Sequence, residues 1–568
     1  MIRNKVFIFL STLLAFRILF ACVLPITGDE AYFVEWARHP DVCYYDHPGM
    51  VAWLMYPFIQ LFGESLLAVR FQAVAAGLLF CCLAFYLGRR LYPGTEIPFR
   101  GLVLAGIVPF AAILSVLVST DTPLAVFWAG ALVSFYAACD TNKFSMWLLT
   151  GLLLGCAFLS KFLAFGFVPA AFLYLCLAPG KRRLLRTPGP WVALAVTIVL
   201  FVPVIVWNYH HDWLTFKFNF VKRQAELGLS LNTFFSYTGG QLLFFSPLVI
   251  AVPALFLVRN LRTCLKSEKD LFLVLFAGVP LGGFALISMF RPVGGHWTAV
   301  ALVPVALLCA RSIEQKNRIF WTSTAVTGWA LSVLIFIGTL SILFIGPLNF
   351  ERGMKCIGFS GEKAEWYTGV VFGNPEIASF AEILNSRHKG FLATKSYSLS
   401  SVLSFHSPNK THYSVWGSKS FYGRNFDLWD DPALLRGKTM VFAGFRKRIG
   451  RTFIKKMLPH FSSVTVYCFN HPVGLYKRGT RNAERGTKKR KEKTQKRLDS
   501  LQLLEVLSLS KGTEKNRTGS LETGNGGQGS VISARLTYVC RSAPPEWSAF
   551  IVIVGKHFSG EKLSYEKK

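Results

Sequence analysis

The chain has 568 residues, of which 52% are hydrophobic and only 16% charged, with a mean hydropathy of +0.40 and a formal net charge of +31. Soluble globular chains carry about 25% charged residues, so this balance excludes an ordinary soluble enzyme. The apolar residues fall in continuous runs near the ~20 residues that cross a bilayer. They do not alternate, which argues against a membrane β-barrel and predicts a polytopic α-helical membrane protein.

The excess of 62 basic over 31 acidic residues has two readings. One is topology-setting loops plus a basic tail; the other is attraction to anionic lipid or nucleic acid. No basic–aromatic nucleic-acid module accompanies the charge, which favours the first reading and predicts no nucleic-acid partner.

The first apolar run, 6–25, follows the basic start MIRNK and has no A-x-A-like cleavage site, so it reads as an uncleaved first span with a cytoplasmic N-terminus. The loop 26–64 is then outside. Further spans are predicted at about 66–87, 101–118, 123–139, 145–160, 162–178, 190–207, 236–257, 271–290, 298–310 and 320–345. This count of about eleven puts the basic clusters at 89–100, 181–186, 259–266 and 311–318 on one side, as the positive-inside rule requires. The acidic and aromatic loops fall on the other side. Residues 1–345 form the membrane domain. Residues 346–478 are mixed in polarity, with alternating segments at Thr439–Phe445 and Ser463–Phe469, and read as a small α/β domain on the outer face. Residues 479–568, with KKRKEK at 488–493 and TGNGGQGS at 523–530, read as a disordered low-complexity tail. Of the twelve cysteines most lie inside apolar runs, where they act as small hydrophobes; Cys356 and Cys468 are placed outside, where a disulfide between them is one option.

The outer loops hold the chemistry. The first carries Asp29, Glu30, Asp41, Asp46, His39, His47, Trp36 and the pair Tyr44–Tyr45. Asp29 and Glu30, within a few residues of the end of the first span, suit a general base or a metal-binding carboxylate. They equally suit the N-cap of a helix opening at AYFVEW. Asp121 stands in a loop of about five residues and has the same two readings, functional acid or cap of the helix at Thr122-Pro123. Lys161, alone between two apolar spans, needs a partner or an anionic ligand, unless it snorkels to the interface. Tyr45, Asp46 and His47 add an aromatic, an acid and a titratable base. Lys222, Arg223, Arg291 and His296 are outer basic groups near span ends, and together they suit a phosphate diester at headgroup level. No P-loop, GxGxxG, HExxH or GxSxG stands in a supporting context. No ligand set for a metal is predicted, and no cofactor.

Six stretches carry a resemblance: GDEAYFVEWARHPDVCYYDHPGMVAW (28–53), RFQAVAAGLL (70–79), STDTPLAVFWAGAL (119–132), LSKFLAF (159–165), RRLLRTPGPW (182–191) and VIVWNYHHDWLTFKF (204–218). In this order they resemble the bacterial membrane GT-C glycosyltransferases of the protein O-mannosyltransferase-like superfamily, over about residues 10–300. The resemblance implies an inverting glycosyltransferase that moves a sugar from a polyprenyl-phosphate donor to a hydroxyl of a glycolipid of the lipid A type, or of a protein, at the periplasmic face of the cell inner membrane. It implies Asp29 as general base with Glu30 beside it, and Asp121 as an orienting acid. Tyr45, Asp46, His47, Lys161 and Arg223 become substrate-binding candidates. Where the aminoarabinose transferases of the family have a lysine before the loop proline, this chain has His47. The competing reading is a lipid or sugar transporter or flippase, which polar residues along the spans would favour.

Overall fold

The structure, a computed structural model, describes residues 2–221, 228–313, 317–356, 374–416, 423–445, 460–470, 535–539 and 549–556. The chain divides into two units, Met1–Thr339 and Leu340–Lys568.

The first unit is an α-helical bundle. Eight helices among the described residues are long and apolar enough to cross a membrane: Ile2–Val23, Leu66–Leu91, Asp121–Thr141, Pro188–His210, Pro247–Lys266, Glu268–Ser288, Gly295–Ser312 and Arg318–Leu340. Met50–Phe62, Ile97–Ile107, Phe144–Ser160 and Phe162–Leu177 are shorter apolar helices. The chain is a multi-span helical membrane protein. Large apolar side chains such as Phe7, Ile198, Val199, Leu334 and Ile337 stay exposed on the bundle, as lipid-facing surfaces require.

In chain order the helices are α1 (Ile2–Val23), α2 (Gly28–Arg38), α3 (Met50–Phe62), α4 (Leu66–Leu91), α5 (Ile97–Ile107), α6 (Pro109–Leu114), α7 (Asp121–Thr141), α8 (Phe144–Ser160), α9 (Phe167–Leu177), α10 (Pro188–His210), the short α11 (Leu214–Phe216), α12 (Leu231–Phe245), α13 (Pro247–Lys266), α14 (Glu268–Ser288), α15 (Leu302–Ser312) and α16 (Arg318–Cys356). Two expected spans are broken. The run 101–118 is split at Val108, whose ψ of 148° ends α5 before Pro109. The run 236–257 is split at Ser246, with φ 74° and ψ 138°, before Pro247. Proline bars its preceding residue from helical dihedrals. Hydropathy reads the apolar run but not this interruption.

Helix α7 is buried along most of its length and packs against α4 and α8. Around Phe135, the rings of Trp147, Phe167, Tyr174, Phe272 and Phe276 lie edge-on or stacked at centroid distances of 5.7 to 6.4 Å. Helices α8 and α10 approach closely because α8 carries Gly151 and Gly155 on one face: a Cβ on Gly151 would stand 2.6 Å from the Ala193 carbonyl oxygen, and one on Gly155 2.4 Å from Leu200 Cδ1. This contact sets the end of α8, and so Lys161, against the end of α10. At the opposite helix ends, Lys181 Nζ lies 2.9 Å from Glu268 and the Tyr92 hydroxyl donates to Asp270.

The second unit contains a mixed sheet with strands β1 (Phe391–Thr394), β2 (Tyr413–Val415), β3 (Met440–Phe445), β4 (Ser463–Asn470), β5 (Arg535–Val539) and β6 (Ala549–Lys556), in the order β2-β1-β3-β6-β4-β5. Pairs β1/β2, β1/β3 and β4/β5 are parallel; β6 runs antiparallel to both β3 and β4. Helices α17 (Asn374–His388) and α18 (Tyr397–His406) cover it through Ile377, Ala381, Leu399 and Leu403. The alternating segments read at 439–445 and 463–469 are strands. The reading of 479–568 as a disordered tail is corrected for two pieces: β5, and β6 between β3 and β4. The β6 stretch AFIVIVGK is a β-branched run suited to an interior strand, masked in sequence by its polar flanks. The rest of that tail lies outside the described residues, as do the side chains of Cys356 and Cys468.

If α8 and α10 meet this closely, Gly151→Ala will lower the melting temperature of the detergent-solubilised protein, at a cost on the order of 1–3 kcal/mol. Gly239→Ala, which has open space around it, will not. Equal behaviour of the two variants would contradict the packing.

Candidate active site

The first loop begins with a capping box. Thr27 is the N-cap of α2; its side chain accepts from the Glu30 backbone N–H at 3.2 Å, and Glu30 Oε2 accepts from the Thr27 N–H at 3.0 Å. The cap reading of this acidic pair therefore holds for Glu30. The same carboxylate is fully buried and takes a bidentate pair from Arg70, Nε to Oε1 at 2.8 Å and Nη2 to Oε2 at 2.7 Å, and a further bond from the Val118 N–H at 3.1 Å. Four donors occupy its roughly four acceptor sites, so Glu30 holds the loop and has no lone pair left for proton transfer. Arg70 spends its other donors on the carbonyls of Ala21 (3.0 Å), Leu24 (2.7 Å) and Pro25 (2.8 Å) at the end of α1. Asp29, by contrast, is exposed in the first turn of α2, where the helix N-terminus favours a carboxylate.

Residues 41–49 fold back as a small hairpin. Cys43 and Pro48 form a β-bridge, and the Tyr44 N–H donates to the His47 carbonyl at 2.9 Å. The Tyr44 ring stacks on Trp36 at 4.0 Å, and its hydroxyl donates to the Trp36 carbonyl at 2.9 Å. Burial pushes the Cys43 thiol up to about 12 and holds the Tyr44 phenol well above its ordinary value. The segment after α10 docks on this hairpin: Trp207 Nε1 donates to Asp41 (2.8 Å), Thr215 Oγ1 to the Tyr44 carbonyl (2.8 Å) and Asn219 Nδ2 to the Asp46 carbonyl (2.8 Å). Tyr45 leans on Phe218 at 5.0 Å, Asp46 is buried, and His47 is half-buried. Arg38 closes the loop with a two-point bond to Glu64 at 2.7 and 2.5 Å and a third to Glu35 at 2.6 Å.

Asp121 opens α7 and is buried; Lys161 follows α8 in extended conformation and is 5% exposed. Lys161 Nζ lies 2.7 Å from Asp121 Oδ2, and His296 Nε2 lies 3.7 Å from the same oxygen. Asp121 Oδ1 has no hydrogen-bond partner among the described residues. So Lys161 has the partner its position demanded and does not snorkel.

These contacts form a closed ring. Glu30 joins the first loop to Val118, Asp121 three residues on joins Lys161, Phe162 stacks on Phe216 at 5.1 Å, and Thr215 returns to Tyr44. Of the expected site residues, the ring brings together Glu30, Asp121 and Lys161. Asp29 stands next to Glu30, and Tyr45, Asp46 and His47 lie on the docked hairpin. Arg223 and Lys222 lie outside the described residues. Arg70, within the span at about 66–87, is a site residue that the sequence reading did not single out. No local signal pointed to it as the partner of Glu30, because the two residues are forty positions apart and meet only in the folded chain. Among the described residues no group of three or more His, Cys, Asp or Glu side chains is placed to hold a metal ion.

Residues 46–207 match the family model described as dolichyl-phosphate-mannose-protein mannosyltransferase. Over 294 residues the chain is 27% identical to the lipid A galacturonosyltransferase RgtD of Rhizobium johnstonii, an alignment spanning 51% of this chain and 60% of that relative. ArnT from Cupriavidus metallidurans has a similar structure, both in the apo state (TM-score 0.54, 15% identity, 81% of this chain and 96% of ArnT) and bound to undecaprenyl phosphate (TM-score 0.55, 15% identity, 80% and 95%). The chain thus has the fold of the ArnT structures, and it is similar in sequence to RgtD over about three fifths of that relative's length.

Two outcomes test the geometry. Arg70→Met strands the buried Glu30 carboxylate and should cost about 3–5 kcal/mol, seen as a large drop in melting temperature; the double variant Arg70→Met/Glu30→Leu should recover part of it. Cys43 should resist iodoacetamide at pH 8 in the folded protein and react after denaturation, as read by peptide mass spectrometry. Rapid alkylation of the folded chain would mean that the hairpin is open.

Proposed function

We propose that this chain is an inverting glycosyltransferase that moves a sugar from a polyprenyl-phosphate donor to an acceptor hydroxyl on the periplasmic face of the cell inner membrane. The observation that carries the proposal is the position of Asp29: an exposed carboxylate beside the Glu30–Arg70 anchor, in a ring of connecting segments that also holds the Asp121–Lys161 pair. The relatives agree with it, RgtD by name a lipid A galacturonosyltransferase and ArnT solved with undecaprenyl phosphate.

In this reading Asp29 takes the proton of the acceptor hydroxyl. The freed oxygen attacks the anomeric carbon opposite the phosphate, the carbon–oxygen bond to phosphate breaks, and the lipid phosphate leaves with the bonding pair. The developing charge needs cations already in place. Lys161 has three ammonium protons and commits one to Asp121, which leaves two for phosphate oxygens. Asp121 holds that ammonium in position. Tyr45, Asp46 and His47 face the donor, with Arg223 as a further phosphate ligand. Glu30 moves from the acid–base role to a positioning one. The acceptor is a glycolipid of the lipid A type or a protein. A transporter would need its polar groups spread along a path; here Glu30, Arg70, Asp121 and Lys161 are paired with one another in a single ring of segments.

The test supplies purified protein with radiolabelled polyprenyl-phosphate sugar and a membrane extract of acceptors. Asp29→Asn should lower transfer at least about 100-fold, and Lys161→Gln should lower kcat more than it raises KM. Equal transfer by wild type and Asp29→Asn would overturn the base assignment. Lipid movement in reconstituted vesicles without any transfer would favour a flippase.

A further inference from the structure

The helix ends opposite the ring carry charges that the transferase reading does not use. Helix α14 starts at Glu268 and ends 21 residues on at Ser288, whose carbonyl accepts from the Thr233 hydroxyl. The chain then reaches His296, beside Asp121. At 1.5 Å per residue α14 covers roughly 30 Å, the thickness of the hydrocarbon core. Glu268 and the end of α13 just before it therefore lie at the membrane face opposite the ring. The positive-inside rule sorts the basic cluster 259–266 to that same side.

The end of α13 reads Val258-Arg259, Leu261-Arg262 and Leu265-Lys266: three apolar residues at i, i+3 and i+7, each followed directly by a base. Spaced this way, each set forms its own stripe along one side of a helix. Both stripes face outward. Val258 is 82% exposed, Leu261 48% and Leu265 44%, and the three bases are exposed beside them. The helix breaks within this stretch. Asn260 has φ −123° and ψ 17°, and its Nδ2 donates to the Phe256 carbonyl at 3.0 Å, so residues 261–266 turn off the line of the span. None of the three bases meets a carboxylate among the described residues, although Glu268 and Asp270 follow within a few positions. Those acids turn inward instead. Glu268 takes Lys181 at 2.9 Å and the Tyr174 hydroxyl at 3.1 Å; Asp270 takes Arg311 at 3.5 Å and the Tyr92 hydroxyl. The inner basic groups thus have counter-charges within the protein, and the outer three do not.

We propose that residues 258–266 form a segment seated in the bilayer surface opposite the ring, where Arg259, Arg262 and Lys266 bind the phosphates of anionic lipid headgroups. Leucine and valine beside arginine and lysine is the pattern of a helix that lies in a membrane interface. The apolar stripe enters the acyl boundary, and the long basic side chains reach out of it to the headgroups. Arginine matches two phosphate oxygens at once, and lysine supplies a point charge. A nucleic acid would answer the three charges but leave Val258, Leu261 and Leu265 in water. The headgroup region of an anionic bilayer covers both stripes. The site is a property of these residues rather than of the general excess of positive charge, and it stands apart from the transferase reading.

The experiment titrates the purified full-length protein, in a neutral maltoside detergent, with phosphatidylglycerol or phosphatidylcholine and counts bound lipid by native mass spectrometry. The variant Arg259→Gln/Arg262→Gln/Lys266→Gln should raise the apparent Kd for the tightest phosphatidylglycerol at least about tenfold and leave phosphatidylcholine binding unchanged. Salt at about 0.5 M should erase the difference between wild type and this variant. Leu261→Ser/Leu265→Ser, which keeps every charge, should also weaken phosphatidylglycerol binding. Arg182→Gln/Arg183→Gln/Arg186→Gln, on another basic segment of the same face, should weaken it much less. All these side chains except Leu261 and Leu265 are charged, all are exposed, and an unchanged melting temperature in detergent alone checks that each variant folds. An unchanged Kd in the α13 triple variant, or equal losses in the two triple variants, would overturn the site. A loss in the α13 triple variant with none in Leu261→Ser/Leu265→Ser would mean a solvated charge patch and overturn the seated segment. Tighter binding of a short RNA than of phosphatidylglycerol would overturn the lipid assignment.

Discussion

The site depends on one interaction, the buried pair between Glu30 and Arg70. Desolvating two charges is expensive, and such a pair rarely adds net stability over an apolar replacement. What it supplies here is position. The end of α1 leaves carbonyls without helical partners, and Arg70 takes three of them, while Glu30 closes the cap of α2 and reaches across to Val118. Two charged side chains thus tie together α1, α2, α4 and the segment before α7.

From that anchor the ring divides its work between polar and apolar contacts. The Asp121–Lys161 pair and the docking of Thr215 and Asn219 fix direction, since hydrogen bonds are geometrically narrow. The stacks of Tyr44 on Trp36 and Phe162 on Phe216 supply area and exclude water. The close α8–α10 packing through Gly151 and Gly155 sets the height at which Lys161 emerges. The connecting segments at these helix ends are thus cross-braced by one another.

The two buried arginines make an instructive contrast. Arg70 meets a carboxylate and three carbonyls; Arg17, on the neighbouring helix, meets a sulfur and one distant carbonyl beside a cavity. A buried guanidinium persists where something answers its charge, as Glu30 answers that of Arg70.

Hydropathy and the placement of Lys and Arg already establish a multi-span helical chain, because lipid allows only helices of a certain length and the basic loops sort to one side. Local patterns go further: Asp29-Glu30 before AYFVEW suits a cap, the isolated Lys161 demands a partner, and the alternation at 439–445 and 463–469 marks strands. Which acid is buried and which exposed could not be read locally, since Asp29 and Glu30 are adjacent and chemically alike. Only the fold separates them, by bringing Arg70 from forty residues away onto one and leaving the other exposed. The interruptions at Val108 and Ser246, the pairing of Asp121 with Lys161 and the strand at 549–556 were likewise decided by tertiary structure. Each depends on contacts between segments far apart in the chain or on backbone geometry, and the energy of a buried charge or an interior strand is set by what surrounds it rather than by its neighbours in sequence.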